Sequence, residues 1–191
     1  ASTGREFATL QGHNRKITAA GFLPDSRRLL TASHDGTVAQ WDVTTGRQLP
    51  AIVKLADAQY RDAYDVAVTA MTISIDGRQL LTLSEDTRGT GLQSVIRLWD
   101  IERGSVIHEL YRGAEGITSI AFAGADQAAI AARAPSRAAD AGDVSDAGEK
   151  SLGSAVRKWD LTSGREILAD GNTAYLDFGD RQEAVWSAIE I

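Results

Sequence analysis

The sequence predicts an all-β fold of four-stranded antiparallel sheets set side by side, and three observations lead to it. First, one phrase recurs: GTVAQWDVTTGRQL from Gly36, SVIRLWDIERGSVI from Ser94 and SAVRKWDLTSGREI from Ser154. Each copy carries a Trp-Asp pair (Trp41-Asp42, Trp99-Asp100, Trp159-Asp160) and a glycine five residues after the Trp, at Gly46, Gly104 and Gly164. Second, the Trp residues stand 58 and 60 positions apart, and other landmarks recur in step with them. Third, the runs between the landmarks alternate with a period of two, whereas helices need apolar positions at a period of 3.6.

Each unit opens with a short strand-like run: ITAAGF from Ile17, VTAMTI from Val68, ITSIAF from Ile117 and, a fourth time, NTAYLDF from Asn172. Turn chemistry follows each one, at Pro24-Asp25-Ser26, Asp76-Gly77-Arg78, Gly124-Ala125-Asp126 and Gly179-Asp180-Arg181. Pro presets φ, Gly permits positive φ, and Asp bonds its own backbone, so these segments connect hairpins. A second apolar run comes next (RRLLTAS, RQLLTLS, QAAIAAR, EAVWSAI). The third strand ends in Trp-Asp, and the fourth follows the Gly turn, as in RQLPAIV, SVIHEL and REILAD. A meander whose inner strands are apolar on both faces cannot stand alone. It must be sandwiched between copies of itself, which is the logic of a propeller.

Composition limits what such a scaffold can do. The 191 residues suit about one domain, and 43% hydrophobic content suffices for a core. A net charge of -6 speaks against a nucleic-acid partner, because phosphate binding needs clustered Lys and Arg. There is no cysteine, so a disulfide framework and a thiolate zinc site are excluded; this fits a reducing compartment, and a cytoplasmic location is the expectation. No apolar run approaches the roughly 18 residues of a membrane span, and ASTGREF has neither the charged nor the apolar region of a signal peptide, so no membrane partner is expected.

Together the Gly12-His13 pair, the Ser33-His34-Asp35-Gly36 turn and Trp41-Asp42 resemble the WD-repeat β-propellers, and the resemblance covers essentially the whole chain. Repeats of the bacterial type are the nearest in appearance. The resemblance implies a hydrogen-bonded structural tetrad of His13, Ser33, Asp35 and Trp41, with the serine reaching the indole nitrogen. Such an arrangement suits polar atoms buried between sheets, which are costly without partners. The second unit keeps Ser84, Asp86 and Trp99 but has Tyr64 where the His would fall. The third has Gly113, Arg133 and Pro135 at the matching positions, leaving Trp159, and is expected to be held mainly by packing. The Trp-Asp aspartates are Asp42, Asp100 and Asp160.

Catalytic and metal readings fare less well. His13, Ser33 and Asp35 are the residue types of a hydrolase triad, yet no G-x-S-x-G elbow surrounds Ser33. His34 and His108 have no clustered partners for zinc, and Gly89 and Gly91 miss the phosphate-loop pattern. Asp140, Asp143, Asp146 and Glu149 lack the alternate ligands and central Gly of an EF-hand, which leaves a solvated acidic loop. No catalytic residue, metal or cofactor is expected.

The units differ in their insertions. Family repeats run about 40 to 45 residues, and these run about 60. The excess falls in AIVKLADAQYRDAYD from Ala51, in TRGTGLQSV between Asp86 and Ile96, and in SRAADAGDVSDAGEKSLGSA between Pro135 and Val156. In the family, such connections open on one face of the ring, and loops gathered on a rigid scaffold commonly form a recognition surface. Tyr60, Arg61, Tyr64, Arg88, Arg133 and Arg137 are the candidate contacts, since Tyr and Arg are favoured interface anchors.

The chain therefore divides into an outer strand of a preceding blade (1–11), three blades (12–56, 57–111, 112–170) and the first two strands of a further blade (171–191), a single partial propeller over 1–191. The remaining blades would come from a longer parent chain or a second copy. Two functions are expected: a non-catalytic scaffold for a protein or peptide partner, or a regulatory or substrate-recruiting region of a larger multidomain enzyme whose catalytic domain lies elsewhere.

Overall fold

A computed structural model describes residues 9–54, 66–87, 91–114, 116–123, 128–133 and 156–167. These residues form twelve strands in three sheets. The first sheet holds β1 (Ile17–Phe22), β2 (Arg28–Ser33), β3 (Thr37–Asp42) and β4 (Arg47–Lys54). The second holds β5 (Val66–Ile73), β6 (Gln79–Asp86), β7 (Gln93–Asp100) and β8 (Ser105–Gly113). The third holds β9 (Ile117–Ala123), β10 (Ala128–Arg133), β11 (Val156–Asp160) and β12 (Arg165–Ile167). Strand order equals chain order in every sheet and each pairing is antiparallel, so each is a meander.

The recurring phrase is explained by the turn after its Trp-Asp pair. Asp42 Oδ1 accepts the backbone N–H groups of Thr44 and Thr45 at 2.8 and 3.0 Å, and Asp160 Oδ1 accepts those of Thr162 and Ser163, both at 2.9 Å. Asp100 Oδ1 accepts that of Arg103 at 2.8 Å. The glycine four residues after each Asp then donates its N–H back to the Asp carbonyl at 2.8–2.9 Å. Closing that turn needs a left-handed residue: Gly46, Gly104 and Gly164 have φ of 68°, 63° and 68°. The aspartate is thus a turn clamp; the carboxyls of Asp42 and Asp160 sit below the usual range, chiefly through the Thr45 N–H and the Ser163 N–H respectively.

Sheets meet along two apolar seams. Between the first and second lie Leu30, Ala32, Val38, Ile52 and Val53 on one side and Val68, Leu80, Trp99 and Ile101 on the other. Between the second and third lie Leu81, Leu83, Ile96, Leu98 and Leu110 against Ile120, Trp159 and Leu161. Alternation within β6 makes this possible, because Leu80 joins one seam while Leu81 and Leu83 join the other. All three are at most 2% exposed, and each such leucine contributes about 1.5–3 kcal/mol by leaving water. The second sheet is therefore held by both its neighbours.

Registers differ from the sequence expectation in three places. β8 runs to Gly113, so the second sheet extends two residues past the expected boundary at 111. Residues 51–53 lie in β4, as RQLPAIV predicts, Lys54 extends the strand by one residue, and the connection is 55–65. Within the second insertion, Gln93 and Ser94 pair with Asp86 and Glu85, extending the hairpin and leaving 87–92 as the connection. The extra residues continue the ladder because that satisfies their backbone groups. Residues 1–8 and 168–191, which carry the expected end strands, lie outside the described residues.

Candidate functional site

The richest polar constellation lies on the first sheet, on the face turned away from the second. His13 Nδ1 is 2.9 Å from Asp35 Oδ2, and its Nε2 is 2.8 Å from Thr31 Oγ1. Trp41 Nε1 donates to that same Thr31 oxygen at 2.7 Å. Indole is only a donor and carboxylate only an acceptor. Two proton directions follow: Trp41 N–H to Thr31 Oγ1, and His13 Nδ1–H to Asp35; His13 Nε2 meets Thr31 through its hydroxyl and, at 3.2 Å, its carbonyl. Every donor in this relay has an acceptor, as a buried polar chain requires.

Thr31, not Ser33, is the hydroxyl node. The expected Ser33 contact to the indole is absent; Ser33 Oγ instead donates to the Arg15 carbonyl at 3.3 Å and accepts the Asp35 N–H at 3.1 Å. Both hydroxyls point to one face of β2, and the register decides between them, since Leu29 stands opposite Trp41 and brings Thr31 under the indole. The second sheet repeats this: Leu80 stands opposite Trp99, and Trp99 Nε1 donates to Thr82 Oγ1 at 2.9 Å. Ser84 is correspondingly displaced from its expected role and donates to the Val95 carbonyl at 3.4 Å. Both serines stay buried, as supports of the hairpin.

Asp35 closes the β2–β3 turn as well as meeting His13. Its Oδ1 accepts the Thr37 N–H at 3.0 Å and the Thr37 hydroxyl at 2.6 Å, and its Oδ2 accepts the Asn14 N–H at 3.0 Å. Burial pushes its carboxyl up, but hydrogen bonds from Thr37, His13 and Asn14 outweigh this and leave it below the ordinary value. Asp86 departs from that pattern. It belongs to the extended hairpin rather than a tight turn, and Arg112 Nη1 approaches it at 3.4 Å from the outer strand. Arg112 also donates to both oxygens of Glu109 at 2.8 and 2.9 Å, which draws that carboxyl below its usual range.

Among the described residues, no hydroxyl meets the tryptophan of the third sheet. Ala129 stands opposite Trp159, and the node position two residues on is Ala131. Trp159 is 2% exposed and packs edge-on against Tyr111 of β8, with ring centroids 6.4 Å apart. The Arg157 guanidinium stands over both rings, 4.8 Å from Tyr111 and 5.4 Å from Trp159, and forks onto Glu166 at 2.7 and 2.6 Å. Sequence reasoning does not anticipate Arg157, Tyr111, Thr31 or Thr82. The shared Leu-Leu-Thr of RRLLTAS and RQLLTLS is the available signal for the two threonines.

The other histidines and the candidate contacts fall as follows. The His34 N–H donates to the Lys16 carbonyl at 2.9 Å, and His108 Nε2 is 3.3 Å from the Thr162 carbonyl across the second seam. Among the described residues no group of three or more His, Asp or Glu is placed to hold a metal. Arg133 ends β10, while Tyr60, Arg61, Tyr64, Arg88 and Arg137 lie outside the described residues, as do Asp140, Asp143, Asp146, Glu149 and Gly89.

Chemically, the relay on the first sheet has an Asp–His–hydroxyl order but no access. The side chains of His13 and Asp35 are 4% and 9% exposed, Thr31 is 5% exposed, and the lone pair a nucleophile would use faces the indole. The arrangement fastens Trp41 to the sheet.

Comparison with known proteins agrees with this reading. The family described as "WD domain, G-beta repeat" matches residues 4–42. The guanine nucleotide-binding protein subunit beta of Oryza sativa subsp. japonica is 28% identical over 115 residues, covering 59% of this chain and 28% of the rice protein. WD repeat-containing protein 1 of Gallus gallus is 30% identical over 105 residues, covering 55% of this chain and 15% of its own length. The chain thus spans well under half the length of these relatives. Among solved structures, U3-55K superposes with a TM-score of 0.54 at 18% identity, over 83% of this chain and 40% of that one. The RRP9 WD40 repeats superpose with the same TM-score and identity, over 83% and 39%. The three meanders are blades of a β-propeller, as in these solved structures, and residues 4–42 match the WD-repeat family.

Proposed function

We propose that this chain is a non-catalytic scaffold that binds a protein or peptide partner through the long connections at one edge of its sheets. The observation that carries the reading is where those connections leave. Lys54 pairs with Thr37, Val66 with Asp86, Asp86 with Gln93, and Ala132 with Val156. Connections 55–65, 87–92 and 134–155 therefore all start and finish at the strand ends opposite the tight Asp-clamped turns. The candidate contacts Tyr60, Arg61, Tyr64, Arg88 and Arg137 are on these connections, and Arg133 stands at the root of the third. The seams supply the rigidity that such a surface needs. The name of the rice relative describes it as a subunit, which accords with a role in binding other proteins.

Replacing the three connections by short turns, while leaving every strand intact, tests the reading. Proteins retained by the intact chain and by the shortened variant are compared by quantitative mass spectrometry. Loss of the specific set on shortening is the expected result. Retention of the same set at equal abundance contradicts it.

A further inference from the structure

The β6–β7 hairpin carries a bonded cluster of side chains at the root of its connection. Asp86 ends β6, Gln93 begins β7, and the two stand opposite each other, so they flank residues 87–92. Arg112 of β8 reaches both: its Nη1 donates to Asp86 Oδ2 and to Gln93 Oε1, each at 3.4 Å. Its Nε and Nη2 fork onto Glu109 at 2.8 and 2.9 Å. Glu109 is tied in turn to Arg97 of β7, whose Nη2 lies 2.9 Å away and whose side chain is 12% exposed.

Register explains why these groups meet. Gln93, Val95 and Arg97 alternate onto one face of β7; Asp86 stands opposite Gln93, and Arg112 opposite Val95. Glu109 and Arg112 are three apart and would point to opposite faces of a regular strand. The ladder shifts between Ile96 and Arg97, so that Tyr111 pairs with Ile96 and Glu109 with Arg97. Leu110 takes the extra place, and this bulge turns Glu109 back to the face of Arg112.

The first two sheets thus fasten this hairpin from opposite sides. On the first, His13 reaches Asp35 from the segment before the inner strand, and on the second Arg112 reaches Asp86 from the outer strand. The Asp86 side chain is 8% exposed, whereas those of Arg112 and Glu109 are 37% and 38% exposed. Ion pairs that open to water add little to global stability. What the cluster supplies is orientation, because a planar guanidinium already held by Glu109 meets both root residues without first having to be ordered. We infer that Arg112 is the positioning residue of connection 87–92, setting how the hairpin presents that connection to a partner. The inference rests on the scaffold reading above, and adds to it a residue outside the connections that governs binding through one of them.

Amide hydrogen exchange followed by NMR, together with partner retention measured by mass spectrometry, tests this in the full chain. Arg112→Gln is expected to speed exchange of the Thr87, Leu92 and Gln93 amides at least tenfold and to lower retention of the partner set at least threefold. The denaturation midpoint and the exchange of β1–β4 stay as in the parent. Arg112→Lys keeps the charge but not the fork, and recovers only part of each effect. Arg103→Gln, at an 81% exposed side chain in the turn at the other end of β7, changes neither readout. Unchanged exchange at the three amides overturns the inference, as does faster exchange spread over all of β5–β8, which would make Arg112 a strut of the whole sheet. Parental retention in Arg112→Gln also overturns it where the variant with shortened connections loses the set. Where that variant keeps the set, the scaffold reading itself fails, and the role in presentation falls with it.

Discussion

The first and third sheets place a buried tryptophan in the same register and fasten it by different physics. On the first, Trp41 is tied through Thr31 and His13 to Asp35, a chain of short neutral and charge-assisted hydrogen bonds. On the third, Trp159 is clamped by Tyr111 and by an Arg157 guanidinium that Glu166 holds in place. The second sheet stands between them: its indole bonds Thr82, while its aspartate turns to Arg112. What is common to all three is the steric position of the indole in a seam. The polar device around it is interchangeable, provided that buried donors are satisfied or absent.

Substitutions at the node break the comparison most sharply. Thr31→Ala strands the Trp41 N–H and leaves His13 Nε2 only the residue-31 carbonyl at 3.2 Å, and costs about 3 kcal/mol, since a buried group left unpaired costs roughly 1–3 kcal/mol and a weakened one adds to it. Thr82→Ala strands one indole and costs about half as much, about 1.5 kcal/mol. Chemical denaturation of both variants checks the ratio. Equal losses would mean that His13 adds nothing to the first sheet.

A smaller effect is expected on the third sheet. Arg157→Lys keeps the charge but loses the planar stack and the fork onto Glu166, for about 1 kcal/mol. Hydrogen exchange should show faster opening of β11 and β12 with β1–β4 unchanged. Opening spread evenly over all sheets would remove the distinction between the two fastenings. The smallest effect is a gain. Ser26 has φ of 55°, and the matching turn of the second sheet uses Gly77 at 70°. Ser26→Gly therefore stabilises the first sheet by about 0.5 kcal/mol, the relief of left-handed strain exceeding the entropy cost of glycine. A raised denaturation midpoint is the readout.

Most of the architecture is legible in the amino-acid sequence. The phrase ending in Trp-Asp and its glycine are a local turn, closed within five residues, so their meaning survives without knowledge of anything distant. The node is a different matter. Thr31 and Ser33 carry the same hydroxyl on the same face of β2, and only the cross-strand register tells which one lies beneath the indole. Tyr111 is hidden for a related reason, because its contact to Trp159 joins different sheets and no local pattern encodes it. Arg157 sits two residues before Trp159 and so on the same face of β11, but its value depends on Tyr111 being opposite.

Exchange of the Trp41 indole proton, followed by NMR in the parent chain and in Thr31→Ala and Ser33→Ala, tests the hydroxyl node directly. Slow exchange that is lost in Thr31→Ala and kept in Ser33→Ala is the predicted result. The reverse pattern, with protection surviving removal of Thr31 and vanishing with Ser33, would contradict the assignment of the seam's polar fastening.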